Sequence, residues 1–209
     1  MKENFAVNCQ SSIKILGSKT LYFDPYCLKN DTNDADIIFI THDHYDHFDV
    51  ESIKKIKKEN TIIVVPKTLE KEVEKLFKKE NIFVVTPMNS YMIDDIKFKT
   101  ISAYNINKAF HPKENGWVSY IVTMDETSYY IMGDTDVTPE AKKVKTDILF
   151  IPIGGTYTMN KEEAVELTNI IEPKIAVPIH YGKVVGSKTD ADYFVKKISS
   201  NVKGLILIP

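Results

Sequence analysis

Three of the five histidines in this 209-residue chain fall between positions 42 and 47, inside the stretch IIFITHDHYDHFDV that runs from Ile37 to Val50. Imidazoles and carboxylates crowded this closely form a donor set for metal ions. His42 and His44 are separated by one residue, so in an extended segment both rings point the same way and can grip one ion together. Asp46 and His47 follow and can face a second ion nearby. The set holds nitrogen and carboxylate with no thiolate, which suits zinc or iron. A merely polar turn would not need histidine at this density.

Four residues are too few for two ions, so the rest of the chain should supply more. His180 sits in AVPIHYG, directly after an apolar run. His111 sits in NKAFHPKENGW, just before a run that begins at Trp117. Asp134 sits in YYIMGDTD, with Gly133 letting the backbone turn closely. A lone histidine is more often a satisfied core or surface residue. Here each falls at a strand end or in an adjoining loop, where ligands are usually mounted.

The elements that must position these residues can be read from periodicity. SSIKILGSKTLYFDPY predicts a hairpin, with Ile13 and Ile15 alternating before Gly17-Ser18-Lys19 and Leu21 and Phe23 after it. Residues 37–40 form a short buried strand, and Asp49 caps a helix that buries Ile53 and Ile56. TIIVV, closed by Pro66, is a second buried strand. A Lys/Glu-rich helix follows from about Thr68, with Leu69, Val73, Leu76 and Phe77 at helical spacing, then a strand at 82–85. Segments 90–93, 96–102, 117–124 and 127–132 predict consecutive antiparallel strands with turns at Asp94-Asp95 and Asp125-Glu126. The end alternates: strand 147–151, helix 161–171 capped by Asn160 with Glu163, strand 175–179, helix 190–198 capped by Thr189 or Asp190, strand 204–208. This order predicts layered sheets with helices outside.

Composition sets bounds. Hydrophobic residues make up 43% and charged residues 27%, enough for a real core in one domain spanning 1–209. The net charge of -2 gives no global attraction to nucleic acid or acidic membrane. The lysines between Lys54 and Lys79 alternate with glutamates and read as solvated helix faces. Cys9 and Cys27 make neither a metal pattern nor a disulfide framework. MKENFAVNCQ lacks a signal-peptide core, and no apolar run reaches spanning length, so a cytoplasmic location is expected.

At this point the chain resembles the metallo-β-lactamase fold superfamily. THDHYDH matches its His-x-His-x-Asp-His motif, GDTD its bridging aspartate and PIHYG its final histidine. The strings LYFDPY and LFIPIGGTYTMNKEEAVELTNIIEPKIAVPIHYG are similar to its single-domain metal-dependent hydrolases related to the ascorbate-6-phosphate lactonases. The resemblance implies an α/β (α+β) fold, the αββα sandwich, with metals at one edge. It also implies the ligand sets: His42, His44 and a third histidine for the first metal, Asp46, His47 and His180 for the second, and Asp134 bridging. The relatives usually carry the third histidine in an Ala-x-His segment. Here the matching residues are Ala103-Tyr104-Asn105, with His111 six residues on. Either the loop folds back so that His111 binds, or the first site is weaker; His111 is favoured because no other histidine is unassigned.

The implied chemistry is hydrolysis. Two divalent ions, most simply Zn2+ with Mn2+ or Fe as alternatives, make hydroxide available at neutral pH for attack on a carbonyl or phosphorus. Two ions, Asp46, Asp134 and a hydroxide leave roughly one positive charge, which favours a small anionic ester, lactone or phosphoester. Asp46 can accept a proton while ligating. Asp24, in Asp-Pro at the hairpin's end, either orients a ligand histidine through its other ring nitrogen or is a plain turn residue. Gly154–Thr158 reads as an anion-binding loop or as a tight strand-to-helix connection. Lys108, Tyr157, Tyr181 and Lys183 lie beside the ligands in sequence and are candidates for substrate contact. Two competing readings use the same centre: a nuclease or phosphodiesterase, against which the acidic charge stands, and a mononuclear iron redox enzyme. A non-catalytic metal scaffold is a fourth reading.

Overall fold

The computed structural model describes residues 4–208. Strands β1 (Phe5–Val7), β2 (Ile13–Leu16), β3 (Thr20–Phe23) and β4 (Ala35–Phe39) come first, followed by helix α1 (Val50–Ile56) and strand β5 (Lys57–Pro66). Helix α2 (Glu70–Val73) and strand β6 (Ile82–Val85) complete a first sheet in the order β1-β2-β3-β4-β5-β6. The second half contains β7 (Ser90–Ile93), β8 (Ile96–Ser102), β9 (Val118–Met124), β10 (Thr127–Ile131), β11 (Ile148–Pro152), α3 (Lys161–Ile171), β12 (Ile175–Ile179), α4 (Lys188–Lys197) and β13 (Lys203–Gly204). Its strands form a seven-stranded sheet in the order β13-β12-β11-β10-β9-β8-β7.

Chain chemistry explains the pairings. β7 to β10 are antiparallel neighbours; tight turns join β7 to β8 and β9 to β10, where Asp94, Asp125 and Glu126 adopt φ of 51°, 50° and 63°, and a longer loop joins β8 to β9. Short polar side chains tolerate that left-handed backbone, which matches the twist of a hairpin. From β3 to β6, and from β10 to β13, neighbours run parallel. Parallel pairing requires crossovers, which put α1 and α2 outside the first sheet and α3 and α4 outside the second.

The two sheets face each other across one apolar layer. Phe23 stacks on Phe39 at 4.8 Å, and Phe39 meets Phe98 and Tyr120 of the other sheet edge-on at 5.3 and 5.1 Å. The Tyr120 hydroxyl donates to the Ile40 carbonyl at 2.8 Å, so this buried phenol keeps a partner while fixing the layers' register. On the outer face of the first sheet, Ile38, Ile40, Ile63 and Val65 pack with Ile53, Ile56, Leu69 and Val73. The result is the layered arrangement expected from the element order and the αββα sandwich that the resemblance implies.

Some expectations change. The helix read from Thr68 is a 3-10 turn at Lys67–Leu69 and a single α turn at Glu70–Val73; Leu76 and Phe77 lie beyond it, where the Lys57 ammonium caps the Leu76 carbonyl at 2.5 Å. Lys57 and Lys58 lie at the start of β5 rather than on a helix. The last helix begins at Lys188 under a Ser187–Asp190 capping box, not at Asp190. The closing strand is only Lys203–Gly204, because beyond the Leu205 amide, bonded to Ala176, the ladder ends. β1 had no legible signal in a three-residue pattern. The hairpin, α1 under Asp49, and α3 under the Asn160–Glu163 box lie where the sequence places them.

Candidate metal centre

Every candidate ligand lies in a segment that follows the carboxyl end of a strand, and one edge of the sandwich collects them all. β4 runs into His42–His47, β8 into the loop carrying His111, β10 into Asp134 and β12 into His180. His42, Asp46, His47, His111, Asp134 and His180 are buried, and His44 is half-buried. The histidine segment is not extended as expected. It bends at Asp43, and the His47 and Phe48 amides both donate to the His44 carbonyl, at 3.0 and 2.8 Å. The bend still brings the His42 and His44 rings to 4.6 Å between centroids and leaves Asp43 and Tyr45 exposed.

Three overlapping groups have ligand atoms within 4.8 Å of one another: His42, His44 and His111; His42, His47 and Asp134; Asp46, His47 and His180. Asp134 is central. Its carboxylate oxygens lie 3.3 Å from His47 Nε2, 3.4 Å from His111 Nε2 and 3.0 Å from His180 Nε2. Asp46 Oδ2 is 3.7 and 3.6 Å from the Nε2 atoms of His47 and His180. The Nε2 atoms of His42, His47, His111 and His180, and one Asp134 oxygen, are buried without a hydrogen-bond partner. A cluster of orphaned polar atoms costs several kcal/mol in total, at about 1–3 kcal/mol each, unless an ion satisfies them. The donor set therefore fits divalent metal ions.

The other ring nitrogens explain why Nε2 is presented. His47 Nδ1 donates to Asp24 Oδ2 at 2.7 Å, and Asp24 also accepts from the Thr41 amide at 2.8 Å and the Thr41 hydroxyl at 2.6 Å. The Thr41 oxygen lies 3.0 Å from His42 Nδ1, so it accepts from His42 while donating to Asp24. Asp24 is fully buried, with φ of 44°, and is not a plain turn residue. His111 Nδ1 donates to Asn105 Oδ1 at 2.9 Å, and the His111 amide donates to the same oxygen at 3.2 Å. Asn105 Nδ2 is spent on Asp136 Oδ1 at 3.1 Å and the Tyr157 carbonyl at 2.9 Å. The loop thus folds back: Asn105 holds the ring of His111 rather than facing the centre itself. Each such contact fixes a tautomer and a ring direction.

Charge follows from this packing. Burial holds His42 well below the ordinary imidazole range, helped by His47 beside it. Burial also lowers His111, to about 4. At His47 burial acts in the same direction, but Asp134 and Asp24 outweigh it and hold the ring well above its usual value. Burial would raise Asp134, yet His180 and His47 keep it well below the carboxylate range.

Two glycines are required by close approach. A Cβ on Gly154 would lie 2.6 Å from the His180 carbonyl and 3.0 Å from its Nδ1. A Cβ on Gly133 would lie 2.9 Å from Thr41 Cβ. The Gly154–Thr158 segment is thus a tight connection lying against His180. His180 itself has φ of 57°, and its amide donates to the Gln10 carbonyl at 2.9 Å. The Gln10 side-chain amide in turn donates to Asp46 Oδ2 at 3.2 Å.

Of the substrate candidates, the structure brings only some to the mouth. Lys108 is engaged by Asp136 Oδ1 at 2.8 Å and the Thr158 carbonyl at 2.6 Å, which makes it a strut of the His111 loop. Tyr181 is buried, its hydroxyl has no hydrogen-bond partner among the described residues, and burial pushes its pKa up to about 12, so it is not a group at the open mouth. Tyr157 packs edge-on against Phe110 at 4.7 Å, next to His111. Gln10, Thr41, Asp136 and Trp117, whose ring lies 5.0 to 5.4 Å from those of His42, His44 and His111, are additional members of the site. Thr41 and Trp117 are legible in hindsight from their places beside the motif and His111; Gln10 carries no sequence signal.

Comparison with known proteins places this edge in context. The family described as beta-lactamase superfamily domain matches residues 10–180. A UPF0173 metal-dependent hydrolase of Sulfurisphaera tokodaii is 30% identical over 93% of this chain and 91% of its own. The metallo hydrolase of Ignicoccus hospitalis superposes with a TM-score of 0.81 at 20% identity, covering 98% of this chain and 94% of that one. A diiron β-hydroxylase of Streptomyces venezuelae does so at 0.72 and 14%, covering 99% of this chain and 54% of its own. Those two likenesses are of fold alone. With the family match extending from Gln10 to His180, the chain belongs to the β-lactamase superfamily, among its UPF0173 metal-dependent hydrolases.

Proposed function

We propose that the centre binds two divalent ions and hydrolyses a small carboxylic ester, lactone or phosphoester. The observation that carries this reading is the set of four buried, unpartnered Nε2 atoms, three of which lie 3.0 to 3.4 Å from Asp134. His42, His44 and His111 would hold one ion, Asp46, His47 and His180 the other, with Asp134 between them. Imidazole and carboxylate donors favour Zn2+; iron is the alternative, since a diiron enzyme shares the fold. Bound ions would supply Lewis acidity and lower the pKa of water towards neutrality.

The chain's own residues do the rest. Asp24, Thr41 and Asn105 aim the rings, so little reorganisation is needed when charge develops. Asp46 is steadied by Gln10 and is the carboxylate placed to take a proton from water. Among the described residues no helix is long and apolar enough to cross a membrane.

The test is metal analysis of protein purified without added metal, followed by a panel of esters, lactones and phosphodiesters. About two ions per chain and metal-dependent turnover of an ester or lactone are expected. Less than one ion per chain under all loading conditions would overturn the dinuclear reading.

A further inference from the structure

The mouth of the centre is marked by its one half-exposed ligand, His44, whose ring lies 4.9 Å from that of His111. The two loops that carry these histidines also carry large apolar groups in water. Tyr45, between His44 and Asp46, is 66% exposed, and Phe110 and Ile106, on the His111 loop, are 48% and 54% exposed. Two half-buried aromatic rings back them: Tyr157 against Phe110 at 4.7 Å and Tyr26 against Tyr45 at 6.2 Å. The fold gains nothing by leaving Phe110 and Ile106 in solvent, and apolar groups exposed on the loops that carry the reactive histidines mark a surface that a ligand covers.

The charges at this rim point the same way. A polyanion or phosphate-rich substrate needs free cations at the entrance. Lys108 is committed to Asp136 and the Thr158 carbonyl. Lys183 donates to Cys27 Sγ at 2.6 Å and lies over the Tyr26 ring at 4.9 Å. The contact to sulfur leaves Lys183 exposed and charged beside Tyr26, one cation where a polyanion needs several.

We propose that the substrate is a carboxylic ester or thioester with an apolar aryl or medium-length alkyl acyl group, seated between Phe110–Tyr157 and Tyr45. This inference rests on the hydrolase reading above. Water's oxygen joins the carbonyl carbon, the bond from that carbon to the leaving oxygen or sulfur breaks, and a proton passes to the leaving group. The products are a carboxylic acid and an alcohol or thiol.

Two measurements on the metal-loaded protein test it. The first is kcat/KM for the p-nitrophenyl esters of acetate, butyrate and octanoate. The second is calorimetric binding of octanoate against acetate, repeated on metal-free protein. Each fully buried methylene is worth about 4-fold, so a half-open rim should give about 2-fold per methylene. Octanoate should bind at least 10-fold more tightly than acetate, in metal-free protein as well. Phe110→Ala and Tyr45→Ala, each checked for metal content, should lower the octanoate-to-acetate ratio of kcat/KM. A flat series with active enzyme, or a ratio unchanged in both variants, overturns the apolar rim and leaves the hydrolase reading standing. Chain-length-dependent binding that both variants weaken, with none of these esters turned over by the loaded protein, keeps the rim and overturns the carboxylic-ester assignment, and a lactone or phosphodiester panel on the same protein then decides the hydrolase reading. Octanoate binding no tighter than acetate overturns the proposal outright.

Discussion

Asn105→Ala isolates the least conventional part of the centre. The substitution removes the oxygen that accepts from His111 Nδ1 at 2.9 Å and from the His111 amide at 3.2 Å. It also removes the donor to Asp136 and the Tyr157 carbonyl. His111 keeps its place in the chain but loses the contact that selects its tautomer and fixes its ring. Losing such a partner costs about 10- to 100-fold in metal affinity, or about 1.4 to 2.8 kcal/mol. His111→Ala removes a ligand atom itself, so the first ion should be lost altogether. A chelator-competition titration resolves the two cases. Asn105→Ala should still bind two ions, one of them about 10- to 100-fold more weakly, whereas His111→Ala should bind one. Trp117, whose ring lies 5.4 Å from that of His111, provides a fluorescence signal for the first site. If Asn105→Ala binds one ion and His111→Ala binds two, the amide is the ligand and the assignment is refuted.

Three further outcomes follow from the same geometry. Asp24→Asn places an amide among three donors, the Thr41 amide, the Thr41 hydroxyl and His47 Nδ1; it should cost about 2–4 kcal/mol in urea denaturation and weaken the ion at His47 at least 10-fold. Wild-type values for both would remove Asp24 from the site. Gly154→Ala drives a methyl to 2.6 Å from the His180 carbonyl, so thermal unfolding should show a loss of about 1–3 kcal/mol with weaker metal binding, and an unshifted midpoint would contradict the close packing. The third concerns Asp147, whose pKa is lowered to about 2, first by its bond from Lys174 and then by its bonds from Ser128. The folded state then binds fewer protons than the unfolded chain between about pH 4 and pH 2, so this contribution is full above that window and lost as pH falls through it. Partial exposure and solvent screening reduce it to about 1 kcal/mol. Asp147→Asn should therefore be less stable than wild type at pH 7, with the urea midpoints converging as pH falls from about 4 to about 2; a gap at about pH 2 as large as that at pH 7 would point to packing instead.

What the sequence determined by itself is the chemistry and most of the scaffold. THDHYDH, GDTD and PIHYG display their donors in the primary structure, because ligand identity is a property of residue type and short spacing. The meander from β7 to β10 was equally legible, since alternation and turn residues are local. The tertiary structure decided what depends on contacts between distant segments. A three-residue strand such as β1 exists only because β2 pairs with it. Gln10 reaches Asp46 across 36 positions, and Lys108 looked available beside His111 until Asp136 and the Thr158 carbonyl claimed it. Tyr181 adjoins His180, yet folding buries it and leaves its hydroxyl inside the protein rather than at the mouth. The choice between Asn105 and His111 belonged to this second class. Both residues stood in the right loop, and only folding showed which one presents a free nitrogen and which one holds its neighbour in place.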